Sequence, residues 1–245
     1  AGLPELRKAL AQDVAKQYGW NEPDVMVASG VSGALLLVFM ALVNPGDEVI
    51  IPDPYFVMYK HLVNMLGGKC VFLDTYPDFK LSAQKLESVI TDKTKLIILN
   101  SPNNPTGAVA SEQDIIDIAE VARKHQLPIL SDEIYDKFCY FGKCPSVAAH
   151  YENTILLKGF SKSYAMTGWR IGYVVAPENL YEPIQKVHQY AVTCVPTFTQ
   201  IGLANSFNGG SAELQAMVEE LNMRREYLVN ELDRIAGISY VNPGG

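Results

Sequence analysis

The sequence has no basic run, no long apolar run, no Cys-x-x-Cys pair and no cluster of histidines, and each absence removes a class of function. Lys and Arg number 20 against 27 Asp and Glu, leaving a formal net charge of -7 and an isoelectric point near 5.1. Nucleic-acid binding rests on clustered cations that neutralise phosphates, so no nucleic-acid partner is expected. The longest apolar stretch, Ala34–Val43, is about half of the roughly 20 residues a membrane helix needs, so no membrane partner is expected either. Four cysteines (Cys70, Cys139, Cys144, Cys194) fall at irregular spacing and four histidines (His61, His125, His150, His188) are scattered, which leaves no metal-ligand pattern. The cysteines read as buried or half-buried thiols of a reducing compartment, and the cytoplasm is the expected location. No repeat, low-complexity tract or Ser/Gly linker divides the chain. With 48% hydrophobic residues it fills a sizeable core, and residues 1–245 read as one domain. The sequence starts inside a helical pattern and stops just after an apolar run, as a piece of a longer protein would.

Apolar runs of strand length alternate with amphipathic runs of helix length, the pattern of a parallel α/β sheet. Strands are expected at Glu48–Ile51, Cys70–Asp74, Lys95–Asn100, Pro128–Ser131, Thr154–Lys158 and Arg170–Val175, and more weakly at Ile238–Val241. Helices are expected at Pro4–Tyr18, Gly33–Val43, Tyr55–Leu66, Ala83–Ile90, Glu112–His125 and Glu178–Tyr190, with Ser111 and Asp114 placed to cap the fifth. The strand runs are nearly all apolar, so helices should cover both faces. Only eleven residues separate Lys158 from Arg170, fewer than the dozen or so that a right-handed parallel crossover needs. The strand at Arg170 should therefore run antiparallel. A helical block follows, then a long helical pattern from Ser211 to Ile235. The expected fold is a three-layer αβα with a mostly parallel sheet and one antiparallel strand.

Ligands of such sheets bind beyond the carboxyl ends of the strands. Three successive strands deliver Asn100-Ser101-Pro102-Asn103-Asn104, then Ser131-Asp132-Glu133-Ile134-Tyr135, then Lys158-Gly159-Phe160-Ser161-Lys162-Ser163 to one edge. Ser29-Gly30-Val31-Ser32-Gly33 opens a helix with small residues that let backbone N–H groups approach an anion. A phosphate suits that helix start together with the planar fork of Arg170. A lysine beside an arginine can serve as an amine nucleophile. An interior carboxylate needs a cationic or donor partner, which a protonated pyridine nitrogen supplies, and an asparagine and a tyrosine can both donate to a phenolate oxygen. This set of demands describes pyridoxal 5'-phosphate.

The residues resemble those of the fold-type I, aspartate-aminotransferase-like family of pyridoxal-phosphate enzymes. Asn-Pro-Thr-Gly at 104–107, Ser-Asp-Glu-Ile-Tyr at 131–135, Ser-Lys-Ser-Tyr-Ala-Met at 161–166 and Thr-Gly-Trp-Arg-Ile-Gly-Tyr at 167–173 carry the match, in family order along essentially the whole chain. The resemblance implies that Lys162 bonds the cofactor aldehyde and later moves the substrate proton, that Asp132 pairs with the ring nitrogen, and that Asn104 and Tyr135 hold the ring oxygen. The amides of Val31 and Ser32, the Ser32 hydroxyl and Arg170 take the phosphate. An aromatic residue stacks on the ring, a place that Phe56 fits better than Tyr55. It also implies a homodimer, an amino acid and a 2-oxo acid as small-molecule partners, and a further small domain and N-terminal arm outside residues 1–245.

Two departures stand out. The family's serine three residues before the lysine is Gly159, with Ser161 or Ser163 to stand in for it, and the arginine for the substrate carboxylate is expected outside the chain. Taken singly, each motif has an ordinary reading: Asn-Pro-Thr-Gly as a turn, Asp132 as a cap, Lys162 as a solvated side chain, Arg170 as an ion-pair partner. Their conjunction at one sheet edge argues for the cofactor. Trp169 is expected to pack beneath the site. Transamination is the activity implied, with a carbon–sulfur β-lyase, or the sensor domain of a transcriptional regulator, as alternatives.

Overall fold

A computed structural model describes residues 1–207 and 211–245. In chain order the main elements are α1 (Pro4–Tyr18), β1 (Val25–Ala28), α2 (Gly30–Leu42), β2 (Glu48–Asp53), α3 (Met58–Met65), β3 (Lys69–Asp74), α4 (Ala83–Val89), β4 (Thr94–Asn100), α5 (Glu112–Lys124), β5 (Ile129–Asp132), β6 (Thr154–Gly159), β7 (Gly172–Val175), α6 (Glu178–Ala191), α7 (Thr197–Ser206) and α8 (Ser211–Leu232). The strands form one seven-stranded sheet in the order β1-β7-β6-β5-β4-β2-β3. β7 runs antiparallel to both of its neighbours, and the other pairings are parallel, as the short 158–170 connection requires.

Helices cover both faces. On one, α2, α3 and α6 close a core around Leu35, Phe39, Val63 and Ile184. The opposite face carries two clusters, one under α1 with Leu6, Leu10 and Val14, the other under α4 and α5 with Leu86, Ile115 and Ile118. α2 is apolar nearly all round because it lies between the sheet and α6, whereas α5 is amphipathic and covers one face only. Ser111 and Asp114 close a capping box on α5, the Ser111 hydroxyl accepting from the Asp114 amide at 3.1 Å and the Asp114 carboxylate from the Ser111 amide at 2.8 Å. α1 stops at Gly19, whose φ of 76° is the left-handed geometry of a glycine cap.

Several expectations need correction. β1 was not anticipated: its four residues are all buried, and a run that short, ending at Ser29-Gly30, has no alternation to read. No strand forms at Ile238–Val241; the residues just beyond it turn in against the Asn104–Gly107 loop, with the Gly244 amide donating to Gly107 O at 2.8 Å. β7 begins at Gly172 because Arg170 adopts a left-handed backbone (φ 53°, ψ 55°) that ends the short 3₁₀ turn Thr167–Trp169. Cys139 and Cys144 are joined in a disulfide across a tight loop, their Cα atoms 5.7 Å apart, while Cys70 is a half-buried free thiol and Cys194 an exposed one. Spacing alone held no sign of that pairing. Among the described residues no helix is long and apolar enough to cross a membrane.

β7 and the start of α2 approach so closely that only glycine fits between them. A Cβ on Gly172 would lie 2.9 Å from Gly30 C and Val31 N and 3.0 Å from Lys158 O, all of them backbone atoms. Gly172→Ala is expected to cost about 1–3 kcal/mol by overpacking. Urea denaturation at unchanged m-value measures it, and a loss under 0.5 kcal/mol would mean that the helix start shifts freely.

Candidate cofactor site

The carboxyl ends of β4, β5 and β6 and the amino end of α2 open onto a cavity of about 190 Å³. Val31, Ser32, Phe56, Asn104, Asp132, Tyr135, Ser161, Lys162 and Arg170 all line it. Every site residue expected from the sequence is thus brought to one place. Register accounts for part of this: Asn100 pairs with Asp132 across β4 and β5, and Asp132 with Leu157 across β5 and β6, so the strand ends are level.

Asp132 is 3% exposed and has no cationic partner among the described residues. Its Oδ2 accepts from the Tyr59 hydroxyl at 2.8 Å, and its Oδ1 from the Ile134 amide at 3.3 Å. Burial pushes its pKa up to about 6, against the pull of those two donors and with a further push from the Glu133 charge. Burial, with the adjacent Asp132 carboxylate, likewise drives the Tyr59 hydroxyl well above its ordinary value, so it remains a donor. Asn100 joins the two sides: its Nδ2 donates to Asp132 O at 2.9 Å and its Oδ1 accepts from the Asn104 amide at 2.8 Å. The Asn104 Nδ2 in turn lies 3.5 Å from Tyr135 Oη.

α2 starts three residues earlier than its apolar pattern suggests, at Gly30, so the amides of Val31 and Ser32 belong to its first turn. Ser29 makes no side-chain cap, and no acidic residue lies in that turn. The free amides and the positive end of the helix therefore face the cavity. Arg170 lies over them: a Cβ on Gly30 (φ 69°) would meet its Nη2 at 2.7 Å. Nη1 of Arg170 donates to Thr167 O at 2.9 Å, which holds the fork in place. The sequence placed Arg170 on the strand; the structure puts it in the turn before it. Lys162 sits beyond the end of β6, its Nζ 5.5 Å from the centre of the Tyr135 ring.

Phe56 lines the cavity and packs edge-on against Tyr59 at 5.6 Å, whereas Tyr55 turns away and stacks on Phe72 at 5.1 Å. Gly159 has a packing reason, since a Cβ there would come 3.0 Å from Ile134 Cδ1 and 3.1 Å from Val31 Cγ2, and Ser161 is the serine that reaches the cavity. Trp169 corrects an expectation: it does not pack beneath the site but is 51% exposed, edge-on to Phe198 at 6.2 Å. Tyr59 and Asn100 were missed as site residues. Tyr59 reads in the sequence as one more apolar position of α3, and only the packing of α3 on the sheet turns its hydroxyl to Asp132.

All 245 residues match the family model described as aminotransferase class I and II. The chain belongs to this family. Among curated members it is 40% identical over 248 residues to an aspartate aminotransferase of Sulfolobus acidocaldarius, covering 97% of this chain and 61% of that one. It is 37% identical over 255 residues to aromatic-amino-acid aminotransferase 2 of Thermococcus litoralis, covering 100% of this chain and 65% of that one. A solved aromatic aminotransferase from Pyrococcus horikoshii OT3 superposes with a TM-score of 0.94 at 38% identity, over 100% of this chain and 68% of that chain. The chain spans 61–65% of the length of such curated relatives.

Members of the class I and II aminotransferase family depend on pyridoxal phosphate, and the residues present fit it. A buried carboxylate with no cation beside it among the described residues suits a protonated ring nitrogen. An uncapped helix start under an arginine suits a phosphate, and a lysine amine stands in the same cavity.

Proposed function

We propose that residues 1–245 form the cofactor-binding domain of an aminotransferase that moves the amino group of an amino acid to a 2-oxo acid. The observation that carries this reading is the convergence of three unlike groups on one cavity: the Lys162 amine, the Asp132 carboxylate and the α2 amino end under Arg170. Pyridoxal phosphate supplies, when bound, an electron sink for the charge left on the substrate Cα.

The side chains do the rest. Arg170, the Val31 and Ser32 amides and the Ser32 hydroxyl bind the phosphate. Asp132 holds a proton on the ring nitrogen, where it preserves the pull on the electrons. Asn104 and Tyr135 orient the ring oxygen, and Phe56 forms the wall against one ring face. Lys162 Nζ would anchor the cofactor, and once freed would take the proton from the substrate Cα and deliver it to C4′, two atoms away across the nitrogen. The enzyme is read as a cytoplasmic homodimer, in keeping with the family.

The intact protein, loaded with pyridoxal phosphate, tests this through its visible absorbance across a panel of amino acids. Bleaching by a donor and recovery with a 2-oxo acid are expected. A band that persists while pyruvate and ammonia accumulate from a cysteine conjugate would replace transamination with β-elimination, and a protein that never acquires a band would end the reading.

A further inference from the structure

A second buried cluster of charge lies behind the cavity, on the other face of the sheet. Along β6, Ile155 and Leu157 pack toward α2 while Leu156 and Phe160 pack toward α1, so Lys158 points to the α1 side. On β5, Leu130 faces α2, as Asp132 does, and Glu133, just past the strand's end, turns the other way. The segment 132–136 divides its side chains between the faces: Asp132, Ile134 and Tyr135 to the cavity, Glu133 and Asp136 to Lys158.

The Lys158 ammonium is fully paired. Its Nζ lies 2.6 Å from Asp136 Oδ2, 2.9 Å from Tyr18 Oη and 3.2 Å from Gln17 Oε1, one acceptor for each of its three N–H bonds. Tyr18 then donates to Glu133 Oε2 at 3.0 Å, and Glu133 Oε1 accepts from Ser131 at 2.9 Å and from Ser146. The Lys158 and Asp136 side chains are only 5% and 13% exposed. Burial opposes the Lys158 charge most strongly of any single cause, but Asp136, Tyr173, Tyr18 and Glu133 together outweigh it, so the amine is held well above its ordinary pKa.

Such a cluster is a poor device for stability alone, because well-packed apolar side chains in place of a buried ion pair are often neutral or better. What an ammonium with three directed bonds does, and an apolar group cannot, is fix the relative position of the pieces it joins. Here those pieces are the segment bearing Asp132 and Tyr135, the C-terminal end of α1, and the strand that runs on within four residues to Lys162.

We infer that Lys158 is a positioning residue, which from the far face of the sheet locks the Asp132–Tyr135 segment against the strand end that carries Lys162. The inference rests on the cofactor reading above and deepens it. Without Lys158, Asp136 and Glu133 lose their cation and draw the segment toward water, turning Asp132 and Tyr135 out of line with the ring.

Pyridoxal phosphate labelled with nitrogen-15 in the ring, bound to the intact protein, reads that alignment directly, because the ring-nitrogen resonance reports its proton and its carboxylate partner. Lys158→Met is expected to displace the resonance, to weaken cofactor binding about tenfold and to lower kcat by about a hundredfold, the scale on which a misplacement near 1 Å acts. It also lowers Tm. The double variant Lys158→Met with Asp136→Asn removes the nearer of the two orphaned carboxylates, and its Tm is expected to return part-way to the parent's while the resonance and the cofactor affinity stay displaced. Recovery of all three together, or a Lys158→Met protein with the parent resonance and affinity, would leave Lys158 a merely structural residue and overturn the inference. Should Lys158→Met fail to fold, Tyr18→Phe removes one acceptor of Lys158 and one donor to Glu133 at constant volume. A displaced resonance in that variant supports the lock, and an unmoved one overturns it. A parent protein that binds no labelled cofactor overturns the proposed function and this inference with it, whereas a normal parent with unmoved variants overturns this inference alone.

Discussion

Asp132→Asn is expected to make the cofactor-free protein more stable at pH 8 while removing nearly all activity. Asp132 is buried, with no cationic partner among the described residues, and its pKa in the fold is about 6 against 3.8 for an unperturbed aspartate. The fold therefore holds the Asp132 proton more tightly than the unfolded chain does. Below about pH 4 both states are protonated and the site costs nothing. The cost develops between about pH 4 and 6 and is complete above 6, where it reaches on the order of 3 kcal/mol. Asparagine keeps the acceptor for Tyr59 but carries no charge, so that cost disappears, and Tm at pH 8 should rise by about 5–10 °C. At pH 4 the two proteins should melt together. With the cofactor bound the order reverses, since an amide cannot hold a proton on the ring nitrogen, and kcat/KM should fall by about three orders of magnitude or more. Thermal melts at the two pH values, with and without pyridoxal phosphate, decide the matter; equal Tm values at pH 8 would mean that Asp132 is not an uncompensated charge. Tyr59→Phe carries the same logic further: the loss of its hydrogen bond should move the Asp132 midpoint above 6.

Lys162→Ala should abolish turnover and leave cofactor binding in place. In the proposed function, the phosphate contacts at the α2 amino end and Arg170, the acid at Asp132 and the Phe56 wall are independent of the Lys162 amine, so the cofactor is expected to stay bound without its covalent anchor. On that proposal the lost amine is both anchor and proton carrier, and a general acid–base group alone accounts for about 10²–10⁴ in rate. The combined loss should exceed about 10⁴. Gel filtration followed by phosphate analysis measures retention, and single-turnover kinetics measures the rate. A variant that transaminates within about tenfold of the parent would remove Lys162 from the reaction.

Much of the layout was legible from the chain. Elements with a clear period were placed within a few residues: α1 at Pro4–Tyr18, α5 with its Ser111–Asp114 box, and the apolar strands that end at Asn100, Asp132 and Gly159. The antiparallel β7 followed from the shortness of its connection. Elements shorter than their own period were lost, as with β1, which has four residues and owes its existence to pairing with β7. The site was legible where residues follow strand ends, because chain order alone delivers them to one edge. Tyr59, Asn100 and Lys158 were not, because their roles depend on which way a helix or strand faces once packed. The sequence shows a tyrosine in a helix, an amide in a strand and a lysine beside a glycine; only the fold turns them toward Asp132 or away from it.

Asn100 has a mechanical consequence. By holding the Asp132 carbonyl with one end of its amide and the Asn104 N–H with the other, it welds the tips of two neighbouring strands into a single jaw. In the proposed function, the residues for the ring nitrogen and for the ring oxygen would then ride on one piece. The two Asn100 hydrogen bonds tie the spacing between these residues to the two strand tips and not to the loops around them. A cofactor held by both groups would keep those two contacts together.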